Sequence, residues 1–177
     1  MTRAVRRMET VREDDGDSLY SVIRLLGNLV NWWDPETRQK YDERAQCIID
    51  QYSNYTVQVG PELLNINGIN TQGENIADNG GIKEALRAYL SLVSRLGPEP
   101  TLPALPFTQR QLFWLSGASK WCTVSRPEST KNSVLTGVHS PPQFRVIGPF
   151  SNMPEFSEDW NCPLGTPMNP VRKCTVW

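Results

Sequence analysis

The chain has 177 residues, with 18 lysines and arginines against 19 aspartates and glutamates and 38% hydrophobic residues, which fits one ordinary-sized soluble domain with enough apolar content for a core. The near-zero net charge offers no whole-chain attraction to nucleic acid or to an anionic membrane, and no nucleic-acid partner is expected. One histidine, His139, excludes a self-contained H-E-x-x-H zinc site, which needs two.

Residues 1–17, MTRAVRRMETVREDDGD, run from basic to acidic without an apolar period and read as disordered by composition. The apolar stretch over residues 22–30 is broken by Arg24, Gly27 and Asn28; it is too short to span a bilayer and unlike the core of an export signal. Asp34-Pro35 has the form of a helix cap followed by proline at the first helical position, and Tyr41, Ala45, Ile48, Ile49 and Tyr52 recur at helical spacing. This predicts a helix over 35–53 with one apolar face. Residues 54–70, with Gly60-Pro61 and an asparagine-rich run from Asn65 to Asn70, read as loop with at most a short strand.

A second helix is expected to begin between residues 71 and 74 and to end at Leu96, where Gly97-Pro98 stops it, with Ile82, Ala85, Leu86, Tyr89, Val93 and Leu96 on its apolar face. Asn79-Gly80-Gly81 interrupts it. Glycine in a helix interior costs about 1 kcal/mol relative to alanine, so either the helix breaks there or something packs close to its backbone. Pro98, Pro100, Pro103 and Pro106 make an extended connection, after which Thr108 and Gln111 form a capping-box pattern. The helix that follows, with Leu112, Phe113, Trp114, Leu115, Ala118 and Trp121, is apolar nearly all round and is expected to be buried. Brief helices are expected near 141–147 and 154–160.

Cys47, Cys122, Cys162 and Cys174 are widely spaced and form no C-x-x-C pair. An even count at wide spacing suits an oxidised extracellular protein; buried free thiols in a reducing compartment are the alternative. Asn54-Tyr55-Thr56 is an N-glycosylation triplet and leans outward as well.

Two segments carry chemistry. In Gly73-Glu74-Asn75-Ile76-Ala77-Asp78, a helix would put Glu74 and Asp78 one turn apart on one face. That spacing fits two solvated acids near a helix start, favoured by the macrodipole, and equally a metal ligand with a carboxylate that orients a ligating histidine. In His139-Ser140-Pro141-Pro142-Gln143-Phe144-Arg145, the histidine and the arginine can both donate to a substrate carbonyl or developing oxyanion, or the histidine can be structural. No G-x-S-x-G elbow accompanies Ser140.

The run Asn67 to Gly81 resembles the E-N-x-x-D signature of the neprilysin and endothelin-converting-enzyme family of zinc endopeptidases. The resemblance continues through Trp121-Cys122, Arg126-Pro127-Glu128, Val138-His139-Ser140-Pro141, Phe144-Arg145 and Met168-Asn169-Pro170 to Cys174-Thr175-Val176-Trp177, which is similar to that family's C-x-x-W ending. It covers residues 27–177 and leaves residues 1–26 as an unmatched leader.

The resemblance implies a mainly α-helical fold with few short strands, the C-terminal part of a thermolysin-like zincin catalytic domain. It implies that Glu74 is a zinc ligand, that Asp78 orients a zinc-binding histidine, that His139 stabilises the oxyanion, that Arg145 grips a substrate carbonyl and that Trp121 walls a side-chain pocket. Lys120 and Pro142-Gln143 depart from the family pattern, so pocket specificity is not carried over. The family's two zinc-binding histidines and its general-base glutamate belong to an H-E-x-x-H helix without a counterpart here. The resemblance therefore implies a zinc metalloendopeptidase acting on peptides, of which this chain, with one of three protein zinc ligands present, is expected to be inactive alone.

The resemblance further implies a Cys47–Cys174 disulfide, unpaired thiols at Cys122 and Cys162, and an extracellular or plasma-membrane ectodomain setting. Apolar area is expected to be stranded at Trp32, Trp33, Phe113, Trp114 and Trp121, where a missing N-terminal lobe would pack. A non-catalytic peptide-binding or decoy module and a truncated gene product are the alternative readings.

Overall fold

A computed structural model describes residues 21–23, 29–31 and 33–177. The expected disorder of residues 1–17, the start of the resemblance at Gly27 and the exposure of Trp32 lie outside the described residues. The chain divides into two compact units, Met1–Asp42 and Glu43–Trp177. In the first, β1 (Ser21–Ile23) pairs antiparallel with β2 (Leu29–Asn31). Helix α1 (Pro35–Ser53) begins as the proline position predicts. The Asp34 carboxylate caps it, accepting from the Thr37 amide at 2.9 Å and from its hydroxyl at 2.8 Å, and these bonds hold the Asp34 pKa below the usual aspartate value.

Within the second unit the expected apolar face of α1 is buried at Ala45, Ile48 and Tyr52. Residues 54–70 depart from the loop expectation. Thr56–Val59 (β3) and Glu62–Asn65 (β4) pair antiparallel, Val59 opposite Glu62, with Gly60-Pro61 as a two-residue turn. Gly60 has φ +57°, the left-handed conformation that such a tight turn asks of its first residue and that glycine adopts without strain. Thr56-Val57-Gln58-Val59 does alternate polar and apolar, but over four residues only, and Glu62-Leu63-Leu64-Asn65 does not, so the hairpin carried a weak two-residue period.

Helix α2 (Gly68–Leu96) starts earlier than expected. Asn67 is its cap, its Oδ1 accepting from the Asn70 amide at 3.0 Å. Gly68 is fixed by packing: a Cβ there would lie 2.3 Å from the Ile49 carbonyl oxygen and 2.4 Å from Ser53 Oγ, so α2 begins against the end of α1 with no room for a side chain. At the other end Gly97, at φ +85°, donates its N–H to the Val93 carbonyl. The helix does not break at Gly80-Gly81. Nor does a close backbone approach explain those glycines, since a Cβ on Gly80 would meet Trp177 at an ordinary 3.6 Å and one on Gly81 nothing within 4 Å. The 29-residue helix is held on both sides of the pair, which offsets their low propensity.

Leu86 of α2, Trp114 of α3 (Gln109–Ser119), Phe150 of α5 (Phe144–Ser151) and Met153 form the core, extended by Phe113, Phe156 and Trp160. The Thr108 capping box forms with both of its bonds. Two expectations about α3 are corrected. Only Trp114 among its residues is buried, and Leu115 is 39% exposed. Trp114 itself is not stranded but 1% exposed, with its indole N–H donating to Asp159 Oδ2 at 2.7 Å. Trp33, Phe113 and Trp121 are half-buried; among the described residues the most exposed large apolar ones are instead Val124, Val171, Leu96, Leu164 and Ile69. Helix α4 (Pro127–Thr136) was not anticipated, because its few apolar residues give no period. Helix α6 (Pro154–Asp159) falls within the expected 154–160.

Cys47 and Cys174 are joined by a disulfide with their Cα atoms 5.5 Å apart, and Arg44 donates to the Val176 carbonyl at 3.0 Å. Cys122, exposed, and Cys162, half-buried, are free thiols. Among the described residues, no helix is long and apolar enough to cross a membrane.

Candidate active site

The first half of α2 and the segment from residue 137 to the start of α5 bring the candidate residues together. Glu74 and Asp78 stand one helical turn apart, as their spacing predicts. His139 Nε2 lies 3.0 Å from Glu74 Oε2, with both side chains about half-exposed. Arg145 meets Asp78 in a two-pronged pair, Nε to Oδ2 at 2.6 Å and Nη2 to Oδ1 at 2.8 Å, with the side chains only 17% and 16% exposed. The bidentate bond to Asp78 outweighs partial burial and raises the Arg145 pKa further above its ordinary value.

Trp121 completes the group. The Arg145 guanidinium carbon lies 4.0 Å from the centre of its ring, and Lys120 Nζ is 5.5 Å from the same centre. Arg145 is thus held from two directions, by a carboxylate along one edge and an aromatic face across its plane. Its Nη1 is the guanidinium nitrogen outside the pair.

Behind these residues lies a polar layer that sequence reasoning missed. Asn75, 1% exposed, donates from Nδ2 to Thr71 Oγ1 at 2.9 Å and accepts from the Ser140 hydroxyl at 2.7 Å. Asn70 Nδ2 donates to the Gly137 carbonyl at 2.9 Å. One turn further on, Asn79 donates to the Tyr52 hydroxyl at 3.3 Å and accepts from Asn152, whose own Oδ1 receives the Cys174 amide at 2.9 Å. The signal available was the abundance of asparagine between Asn65 and Asn79, which does not say which of those side chains are buried. Tyr52 is buried against Gly148, where a Cβ would come within 2.1 Å of its hydroxyl oxygen, and burial raises the phenol's pKa. A cleft of about 350 Å³ lined by Ile76, Lys83, Leu86 and Trp177 includes none of Glu74, Asp78, His139 and Arg145.

As a metal centre the group is incomplete. Among the described residues no three histidines, cysteines, aspartates or glutamates converge, while zinc takes three or four protein ligands. Glu74 can offer one carboxylate; both oxygens of Asp78 are engaged by Arg145.

Residues 24–176 match the model of peptidase family M13. The chain belongs to peptidase family M13. It is 54% identical over 151 residues to Neprilysin-2 of Drosophila melanogaster, covering 85% of this chain and 19% of that protein. It is 49% identical to endothelin-converting enzyme 1 of Homo sapiens, with the same shares. Among solved structures, a zinc metalloprotease of Mycobacterium tuberculosis in an open state superposes with a TM-score of 0.75 at 31% identity, over 85% of this chain and 24% of that one. A Haemonchus galactose-containing glycoprotein complex matches with a TM-score of 0.75 at 34% identity, over 85% and 25%. The chain therefore spans about a fifth of the length of the M13 relatives it matches. The mainly helical M13 fold, few short strands and the disulfide agree with the resemblance.

Proposed function

We propose that this chain forms the substrate-handling part of a zinc metalloendopeptidase acting on peptides. The observation that carries the reading is the pairing of Glu74 with His139 and of Asp78 with Arg145 along one helix face. In it, Arg145 is a substrate-binding residue that donates from Nη1 to a peptide carbonyl, held in place by Asp78 and stacked on Trp121. Trp121 and the Lys120 stem line the adjoining side-chain pocket. His139 donates from Nε2 to the oxygen on which negative charge develops.

That last role requires the 3.0 Å contact between His139 and Glu74 to open. Both side chains are about half-exposed, so opening costs little. Glu74, once parted from His139, is the carboxylate that would serve as one zinc ligand, and Asp78 retains second lone pairs through which to orient a metal-bound histidine. Zinc supplies polarisation of the scissile carbonyl and an activated water in such enzymes. The described residues do not fit a whole zinc site, so binding and charge stabilisation are what they contribute and hydrolysis by this chain alone is not expected.

The Cys47–Cys174 disulfide fits an oxidising compartment, and an extracellular or ectodomain setting is proposed with it. The exposed Asn54 would then be a glycosylation acceptor. Calorimetric titration with a short hydrophobic peptide tests the binding reading. Affinity should persist in EDTA and fall at least tenfold in Arg145→Ala, as expected when a charged donor is removed from a carbonyl. Phosphoramidon-sensitive cleavage by highly purified chain, with one equivalent of zinc retained through dialysis, would sink the non-hydrolytic part.

A further inference from the structure

We propose that Asn75 and Ser140 are positioning residues: their buried hydrogen bond is the clamp that sets the backbone carrying His139 beside Glu74 and Arg145 against Asp78. The proposal rests on the reading of those four residues as the substrate-handling group. His139 and Glu74 are 50% and 43% exposed, and a contact so open to water is too weak to fix its own geometry. The backbone on either side of His139 is nonetheless tied to α2, through Asn70 to the Gly137 carbonyl and through Asn75 to the Ser140 hydroxyl. Asn70, Glu74, Asn75 and Asp78 lie within roughly 140° of the helix circumference at about 100° per residue, and they meet Gly137, His139, Ser140 and Arg145 in the same order.

Only the Asn75–Ser140 member of this series is buried on both sides, at 1% and 3% exposure. A buried asparagine is costly unless its bonds are made. Here they are made in a chain: the Thr71 hydroxyl donates to the Asn67 carbonyl, Asn75 Nδ2 to Thr71 Oγ1, and Ser140 Oγ to Asn75 Oδ1. From Ser140 the constraint passes to Pro141, whose ring limits the backbone and whose carbonyl accepts the amides of Phe144 at 2.8 Å and Arg145 at 3.3 Å. The clamp therefore fixes both the residue before it and the first turn of α5.

The chain's single histidine gives a single Cε1–H correlation, which reports directly on this geometry. In Ser140→Ala the His139 signal should move toward that of a free imidazole, and amide exchange over residues 137–145 should rise roughly tenfold, the effect of losing one buried hydrogen bond. Ser140→Thr, which keeps a hydroxyl, should restore both. Asn75→Ala should act likewise, and the double variant should do no more than the stronger single, because the two residues make one interaction. A merely structural bond would lower the melting temperature without moving the imidazole signal. The proposal is overturned if folded Ser140→Ala keeps the wild-type imidazole signal and exchange, and Ser140→Ala decides the matter even if Asn75→Ala fails to fold. Failure of the functional reading is distinguishable: His139→Ala and Arg145→Ala would then leave peptide affinity unchanged whatever the imidazole signal does.

Discussion

The two halves of α2 are held by different balances of contact, polar in the first apart from buried Ile76 and apolar in the second. From Gly68 to Asn79 the helix is tied by side-chain hydrogen bonds and ion pairs, with Asn70, Glu74, Asn75, Asp78 and Asn79 each meeting a partner from elsewhere in the chain. From Ile82 onward it is held by apolar packing of Leu86, Ile82 and Tyr89 against Trp114, Phe150 and Met153. Polar contacts are directional and specify which groups meet, while apolar burial is non-directional and supplies most of the free energy. One helix thus carries the stability at one end and the geometry of the site at the other. Gly80-Gly81 lies at the join, where neither kind of contact crowds the backbone.

If this division holds, the largest stability loss comes from the apolar half. Trp114→Ala should cost about 3–5 kcal/mol, enough to leave a chain of ordinary stability partly unfolded, as read by urea denaturation. Next, replacing both Cys47 and Cys174 by alanine should cost about 2–4 kcal/mol, because the loop they close is long, measured by thermal melting under oxidising conditions. Asp78→Asn, which removes the charge from the half-buried Arg145 pair, should cost about 1–3 kcal/mol and weaken peptide binding together with Arg145→Ala. A His139→Ala variant should change stability by less than about 0.5 kcal/mol, since the side chain is half-exposed, yet weaken peptide binding. An unfolding free energy as large as that of Trp114→Ala for His139→Ala would break the division outright.

The buried phenol of Tyr52 adds a pH test. Burial raises its folded-state pKa above the ordinary value of 10.0, so the unfolded chain releases this proton first as pH climbs. Stability from this group is complete below about pH 10 and lost above it, as pH moves toward the folded-state pKa. Tyr52→Phe should make the alkaline limb of a denaturation profile shallower, while a profile as steep as that of the unaltered chain would count against the burial argument.

What was legible in the sequence follows the same line. The helix from Pro35, the stop at Gly97 and the Thr108 capping box were written in cap and spacing chemistry that acts within a few residues. The Glu74–Asp78 spacing put two carboxylates on one face, and the resemblance put His139 and Arg145 beside them. The polar layer was not legible. Whether Asn75 faces solvent or is the most deeply buried amide of its helix depends on Ser140, 65 positions away, and no local rule reports that. The glycines at positions 68 and 148 were unreadable for a related reason: their side chains are excluded by Ile49 and Ser53 and by Tyr52, contacts made only once the helices have packed. Trp114 was misread because an all-apolar helix does not say which of its faces finds a partner; its ring packs with Leu86, Phe150 and Met153, and Asp159 satisfies the indole N–H there.

The disulfide between Cys47 and Cys174 makes most of the second unit a covalent ring. Proteolytic cleavage anywhere between those residues, the exposed proline-rich segment after Gly97 being the natural place, would not release a fragment. The nicked chain would migrate as one species without reductant and as two with it. Damage that would dismantle an open chain leaves this one with both cut ends tethered, and resealing the contacts across the cut remains an intramolecular event.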